Sequence, residues 1–159
     1  MKAVLVTLAL MISISLVACS TSESSESMPT AESGINWLTD VNQARTTAAS
    51  ENKPIFAYFT GSDWCGWCKR LDANVLSHKE FQDYARENLV MLKLDFPRRT
   101  AQPPELAQAN QALAQKFGIR GFPTILLLDE GGQELGRTGY QQMNPLEYVQ
   151  HLKQLLHSS

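Results

Sequence analysis

Three features of the 159-residue sequence predict an α/β fold, a central mixed β-sheet flanked by helices on both faces. From residue 35 onward, segments with apolar residues at helical spacing alternate with short runs rich in β-branched and aromatic residues. Prolines and glycines such as Pro54, Gly61 and Pro103-Pro104 punctuate those segments. The last two β-like runs are separated only by Glu130-Gly131-Gly132, a hairpin turn, so an antiparallel pair joins strands otherwise linked through helices. A hydrophobic fraction of 43% and a charged fraction of 19% suit one globular domain. With a net charge of −2 the chain lacks the basic footprint of a nucleic-acid binder.

The first element is an address. Met1-Lys2 gives a small positive region, and residues 3–17 form an apolar stretch of about 15 residues, short of the ~20 a spanning helix needs. That excludes a multi-pass membrane protein and reads as a secretory signal. Leu16-Val17-Ala18-Cys19 resembles a bacterial lipobox, which implies that residues 1–18 are removed and Cys19 is lipidated; the alternative is a plain signal peptide with an incidental Cys19. Ser20 stands where an aspartate would retain such a protein at the inner membrane, which favours the outer one. Residues 19–34 then supply the lipidated cysteine and a polar linker too poor in apolar surface to offset its chain entropy. Such a leash reaches roughly 20 Å on average and ~50 Å at full stretch. The folded domain is placed at 35–159.

Within it, residues 40–51 carry helix formers and stop before Asn52-Lys53-Pro54. Residues 55–60, bounded by Pro54 and Gly61, form a strand. A helix is predicted over 64–76, and Ser77-x-x-Glu80 has the form of a capping box opening another through 87. Residues 89–95 read as a buried strand, 96–104 as a proline-rich loop and 105–117 as a helix whose stripe Ala107, Asn110, Leu113, Ala114 and Phe117 packs in the core. Residues 124–129 and 133–138 make the hairpin. Asn144-Pro145-x-Glu147 combines an N-cap, a proline at the first helical position and a reciprocal acid, starting a helix to about 156.

The chemistry concentrates at Ser62-Asp63-Trp64-Cys65-Gly66-Trp67-Cys68-Lys69, where a strand gives way to a helix. Cysteines at i and i+3 on a first helical turn face one side, close enough to bond. The helix dipole and unpaired amides there favour a thiolate, and cysteines so placed can fall from ~8.5 to about 7. Cys65 is therefore expected as the exposed, low-pKa nucleophile and Cys68, one turn deeper, as the resolving thiol. A zinc site would need two further ligands, and His78, His151 and His157 have no ligand-like spacing. Attachment of c-type haem would need histidine at position 69, which is Lys69. A structural disulfide closing so small a loop removes little chain entropy and is a poor staple.

Trp64-Cys65-Gly66-Trp67-Cys68-Lys69 resembles the active-site motif of thioredoxins, and Phe117-Gly118-Ile119-Arg120-Gly121-Phe122-Pro123-Thr124 resembles the segment carrying their cis-proline. The resemblance spans residues 35–157 and implies a thioredoxin-like fold in which Phe122-Pro123 is a cis peptide packed against the cysteines, with the Phe122 backbone pairing with an extended substrate. Gly61-Ser62-x-Trp64-Cys65, Asp95-Phe96-Pro97-Arg98 and Gly139-Tyr140 look like exported bacterial thioredoxin-like proteins and the terminal reductase domain of the DsbD-type electron transporter. Departures are specific. The family's buried aspartate is replaced by Tyr58 or Phe59, and Met91 stands near the place of its lysine partner. Water, Asp63 or Lys69 are the substitutes considered for handling the Cys68 proton. Trp67 replaces the usual proline, and 96–104 lengthens one connection.

Trp64 and Trp67 flank the thiolate. Either one or both form an apolar docking rim, or Trp64 packs inward and Trp67 alone is exposed. Arg98-Arg99 is read as a solvated loop pair and the three histidines as surface residues. The resulting expectation is an envelope thiol–disulfide oxidoreductase, periplasmic and held to a membrane by lipid alone. Cys65 and Cys68 react, supported by Trp64, Gly66, Trp67, Lys69, Phe122 and Pro123. It needs no cofactor beyond the redox-active pair, no metal and no nucleic acid. Its partners would be disulfide-bearing client proteins and a DsbD-like electron donor. Reduction is favoured over oxidase or isomerase activity; a redox-switched, partner-binding lipoprotein is the non-enzymatic alternative.

Overall fold

A computed structural model describes residues 34–158. The predicted leader, Cys19 and the linker through residue 33 lie outside the described residues. The elements are β1 (Trp37–Leu38), α1 (Val41–Glu51), β2 (Ile55–Thr60), α2 (Gly66–Leu71) continuing into a π-helical turn (Asp72–Leu76), α3 (Lys79–Asn88), β3 (Val90–Asp95), α4 (Pro104–Lys116), β4 (Thr124–Leu128), β5 (Glu134–Thr138) and α5 (Pro145–His157).

The strands form one mixed sheet in the order β1-β3-β2-β4-β5. β3 runs parallel to β1 and β2, whereas β4 is antiparallel to β2 and β5. Every residue of the central strand β2 is buried. Its alternation sorts the core into two layers. Phe56 and Tyr58 join the π turn, α3, α5 and the cysteines on one face. Ile55, Ala57 and Phe59 meet Ala44 and Ala48 of α1 and Ala114 of α4 on the other. Burying each large apolar side chain contributes roughly 1.5–3 kcal/mol, so this central strand anchors both layers.

Local chemistry sets most boundaries. The Asp40 carboxylate accepts the Asn42 and Gln43 amides at 2.7 and 2.8 Å, opening α1. Asn52, at φ 52°, turns the chain out of it in the left-handed region. The Asn144–Glu147 capping box forms in both directions at 2.9 Å.

Several expectations are corrected. The edge strand β1 has no counterpart in the sequence reading, because two residues carry no period. The predicted helix 64–76 starts at Gly66 and changes to π geometry at Asp72. Ser77 does not cap α3: its amide still bonds Asp72 O at 2.9 Å and its hydroxyl donates to Ala73 O at 3.1 Å, so it ends the previous helix, and His78 takes the N-cap without a side-chain bond. On α4, Ala107 is exposed, while Asn110 is buried and donates to Asp95 O at 3.0 Å. His151 is half-buried, its Nε2 2.8 Å from Thr138 Oγ1. Among the described residues no helix is long and apolar enough to cross a membrane.

Candidate active site

β2 delivers the chain to Gly61, whose carbonyl accepts the Trp64 and Cys65 amides at 3.2 and 2.8 Å. The turn has no room for a side chain at Gly61, because a Cβ there would overlap the Trp64 indole. It leaves Cys65 as the N-cap of α2, with Cys68 one turn on. Cys65 and Cys68 are disulfide-bonded, Cα atoms 5.2 Å apart, and Cys65 Sγ accepts the Cys68 amide at 3.1 Å. Cys65 was expected to be exposed. In this oxidised state it is only 4% exposed and Cys68 is fully buried. Trp64, Phe122 and Tyr140 are among the half-buried side chains packed on the cluster that holds both sulfurs.

The two tryptophans have different surroundings. Trp64 is half-buried: its Nε1 donates to Phe96 O at 2.8 Å, its ring meets Phe122 edge-on at 5.8 Å, and the Arg98 guanidinium lies 3.6 Å over its face. Arg98 is thus a stacked residue and not simply a solvated one. Trp67 is 55% exposed, tilted against Tyr140 at 5.4 Å, with Arg70 4.6 Å from its ring centre. Asn74 holds the Tyr140 hydroxyl at 3.1 Å. Phe122-Pro123 is cis. With Trp67, Gly139, Tyr140 and Gln142 these two residues line an open groove of about 490 Å³ beside the disulfide helix. Gly66 is exposed with free space around its Cα, and Lys69 is exposed, its Nζ donating to Asp63 O at 3.3 Å.

Asp63 serves the scaffold. Its carboxylate accepts the amides of Arg98, Arg99 and Thr100 at 3.0, 2.7 and 2.9 Å, tying the 96–103 loop to the cysteine turn. Those amides, Arg98 first, hold the carboxyl below the usual carboxylate range, so Asp63 is a poor acceptor for the Cys68 proton. Asp95 adds a second tie, accepting the Ser62 amide and hydroxyl at 2.9 and 2.6 Å.

Beneath the cysteines, the choice between Tyr58 and Phe59 resolves to Tyr58, since Phe59 packs on the opposite face. The Tyr58 hydroxyl donates to Cys68 O at 3.3 Å. Burial pushes that phenol far above its ordinary range. Lys93, not Met91, pairs in register with Tyr58; Met91 pairs with Phe56. Sequence reasoning also missed Asp72, four residues after Cys68. Burial pushes its carboxyl up, opposed by the Tyr58 hydroxyl and the charge of Lys93. A recess of about 230 Å³ lined by Trp37, Tyr58, Asp72, Leu76, Ser77 and Lys93 opens here. Helical spacing from Cys68 and the lone base of β3 were the available signals. Among the described residues no group of three His, Cys, Asp or Glu side chains could hold a metal ion.

A strand-to-helix turn bearing a bonded Cys-x-x-Cys pair, facing a cis-proline on a mixed sheet, defines a thioredoxin-like protein. Residues 41–156 match the model of the thioredoxin-like domain family, and the chain belongs to it as a thiol–disulfide oxidoreductase. It is 34% identical over 131 residues to a protein named disulfide bond reductase DsbH of Chlamydia pneumoniae, covering 82% of this chain and 78% of that one. A solved structure titled DsbH oxidoreductase superposes with a TM-score of 0.76 at 33% identity, over 83% of this chain and 91% of the other. The thiol:disulfide interchange protein DsbD of Actinobacillus pleuropneumoniae is 30% identical over 116 residues, 71% of this chain but only 18% of DsbD.

Proposed function

We propose that this chain reduces disulfides in client proteins of the bacterial cell envelope, tethered through lipidated Cys19. The observation that carries the reading is the Cys65–Cys68 disulfide at the start of α2, with the Cys68 amide on Cys65 Sγ. In the dithiol form that amide faces the sulfur of Cys65 and favours its thiolate. The thiolate attacks one sulfur of a client disulfide and displaces the other, which leaves with the bond's electron pair and takes a proton from water. Cys68 then loses its proton and attacks Cys65 Sγ. The client's second sulfur departs reduced, and Cys65–Cys68 is oxidised.

We assign the Cys68 proton to Asp72, which stands four residues on at the end of the same helix with its backbone amide on Cys68 O; burial makes its carboxylate a better base than an ordinary one. A dithiol donor must return two electrons per turnover, and the DsbD likeness supports a donor of that type. The similarity to a protein named a reductase supports reduction over oxidation. The groove at Trp67, Phe122 and Pro123 is suited to an extended client segment.

Insulin-type reduction measured with a regenerating dithiol tests this. Turnover should vanish in Cys65→Ser, and Cys68→Ser should accumulate a client mixed disulfide. A couple poised near −270 mV supports reduction, one near −120 mV supports oxidation. Unchanged turnover and capture in both variants would instead favour a partner-binding, redox-switched lipoprotein. Membrane fractionation of Cys19→Ala tests the tether: the variant should leave the membrane fraction.

A further inference from the structure

The segments around the cysteine pair, residues 61–71, 96–103, 117–123 and 139–143, carry five bases and one acid, although the chain as a whole has a net charge of −2. The bases are Lys69, Arg70, Arg98, Arg99 and Arg120, all exposed. The acid is Asp63, whose carboxylate is spent on three loop amides; Asp72 and Asp95, which border these segments, are half-buried, Asp72 beside Tyr58 and Asp95 bonded to Ser62. Among the described residues none of the five bases is in an ion pair, whereas Lys53, Lys79, Arg86 and Arg137 each face a carboxylate. The exposed charge on these segments is therefore positive.

Two of these guanidinium groups are positioned. Arg98 lies 3.6 Å from the ring centre of Trp64 and Arg70 4.6 Å from that of Trp67, one on each of the tryptophans that flank Cys65 in the sequence. The Asp63 clamp fixes the backbone of Arg98, and Tyr140 supports Trp67 from a neighbouring loop. A guanidinium stacked on an indole loses less freedom on binding and keeps its edge donors for a carboxylate. Arg70 is stacked on Trp67, which lines the open groove at Phe122-Pro123, and Arg98 on Trp64, which meets the groove residue Phe122 edge-on.

We infer that the preferred clients are acidic: polypeptides whose disulfide is flanked within a few residues by Asp or Glu, the carboxylates pairing with Arg70 and Arg98 while the segment lies in the groove. This rests on the reading that Cys65 attacks client disulfides. Complementary charge of this kind acts mostly on the encounter rate and fades with salt. A solvent-exposed pair alters the rate about two- to five-fold, so the two together give about ten-fold.

The test uses the mature chain, returned to the dithiol form by a regenerating dithiol whose direct rate is subtracted, and three disulfide-linked peptides of one length whose flanking residues are acidic, neutral or basic. At about 20 mM ionic strength kcat/KM for the acidic peptide should exceed that for the basic one about ten-fold, and the ratio should fall toward one near 0.5 M salt. In Arg70→Gln/Arg98→Gln the ratio at low salt should also approach one. The ratio is the readout because a changed thiol reactivity would scale all three peptides alike. Arg120→Glu, at an exposed position, should lower the ratio as well and guards against misfolding of the double variant.

Reduction of all three peptides at rates within two-fold at low salt would overturn this inference and leave the reductase reading standing. Failure to reduce any of them would overturn both. Faster reduction of oxidised glutathione than of the acidic peptide would assign these bases to small anionic disulfides, again against the proposal.

Discussion

Gly61→Ala isolates the turn that presents Cys65. The new methyl group would occupy the space of the Trp64 indole, so the ring must leave its seat. Leaving costs the hydrogen bond from Nε1 to Phe96 O, the stacking of Arg98 and the edge contact with Phe122. Central values for a hydrogen bond, an exposed cation–π contact and an aromatic edge pair sum to about 2–3 kcal/mol. Urea unfolding followed by tryptophan fluorescence should show that loss as a lower midpoint with an unchanged slope. The 96–103 loop, robbed of its indole anchor, should become a tryptic site at Arg98 and Arg99 while the remaining domain resists. A variant within about 0.5 kcal/mol of the parent, with the loop still protected, would refute the claim that the Trp64 seat holds this turn.

The other predictions follow from single contacts. Asp63→Asn should expose the Arg99 and Thr100 amides to hydrogen exchange. In the parent the same amides should lose protection as pH falls through the depressed Asp63 value, because a lowered carboxyl pKa stabilises the fold above the usual carboxylate range and ceases to below it. Asp72 has the opposite sign: its raised pKa means ionisation costs stability as pH rises, so Asp72→Asn should gain on the parent in unfolding free energy as pH rises above the ordinary carboxylate range. The same variant should slow release of the Cys65–client mixed disulfide, read by single-turnover quench. Asn144→Ala removes one partner of a two-way cap and should cost about 1 kcal/mol in chemical unfolding.

What the sequence made legible is what local chemistry determines. Asn144-Pro145-x-Glu147 is a self-contained cap and forms as read. The strand 55–60, closed by Pro54 and Gly61, matches residue for residue. The Cys-x-x-Cys pair and the cis Phe122-Pro123 bond stand where the motifs place them. Illegible features depend on partners distant in sequence. A strand buried on both faces shows no polar–apolar alternation, so nothing in Phe56-Ala57-Tyr58-Phe59 says which ring lies under the sulfurs. The same ambiguity let Met91 stand for Lys93, two residues on and on the same face. Ser77 carries a cap's residue type, yet the π turn before it keeps its amide engaged and moves the cap one residue on. Asp63 finds its donors more than thirty residues away, in a loop whose length alone suggested only an insertion.

These long-range ties explain how the cysteine pair can be reactive without being structural. Cross-linking residues three apart constrains a loop so short that chain entropy predicts about 2 kcal/mol from the bond, below the ~3 kcal/mol of a 15-residue loop. The turn does not depend on it. Gly61 O holds the Cys65 amide, Asp63 and Asp95 bind the turn to the neighbouring loop and strand end, and Trp64 closes over the glycine. None of these contacts runs through the sulfur–sulfur bond, so the turn has supports that do not require it. A pair whose surroundings are held by other bonds can cycle between two redox states with little change in fold, which is the condition that repeated disulfide exchange requires.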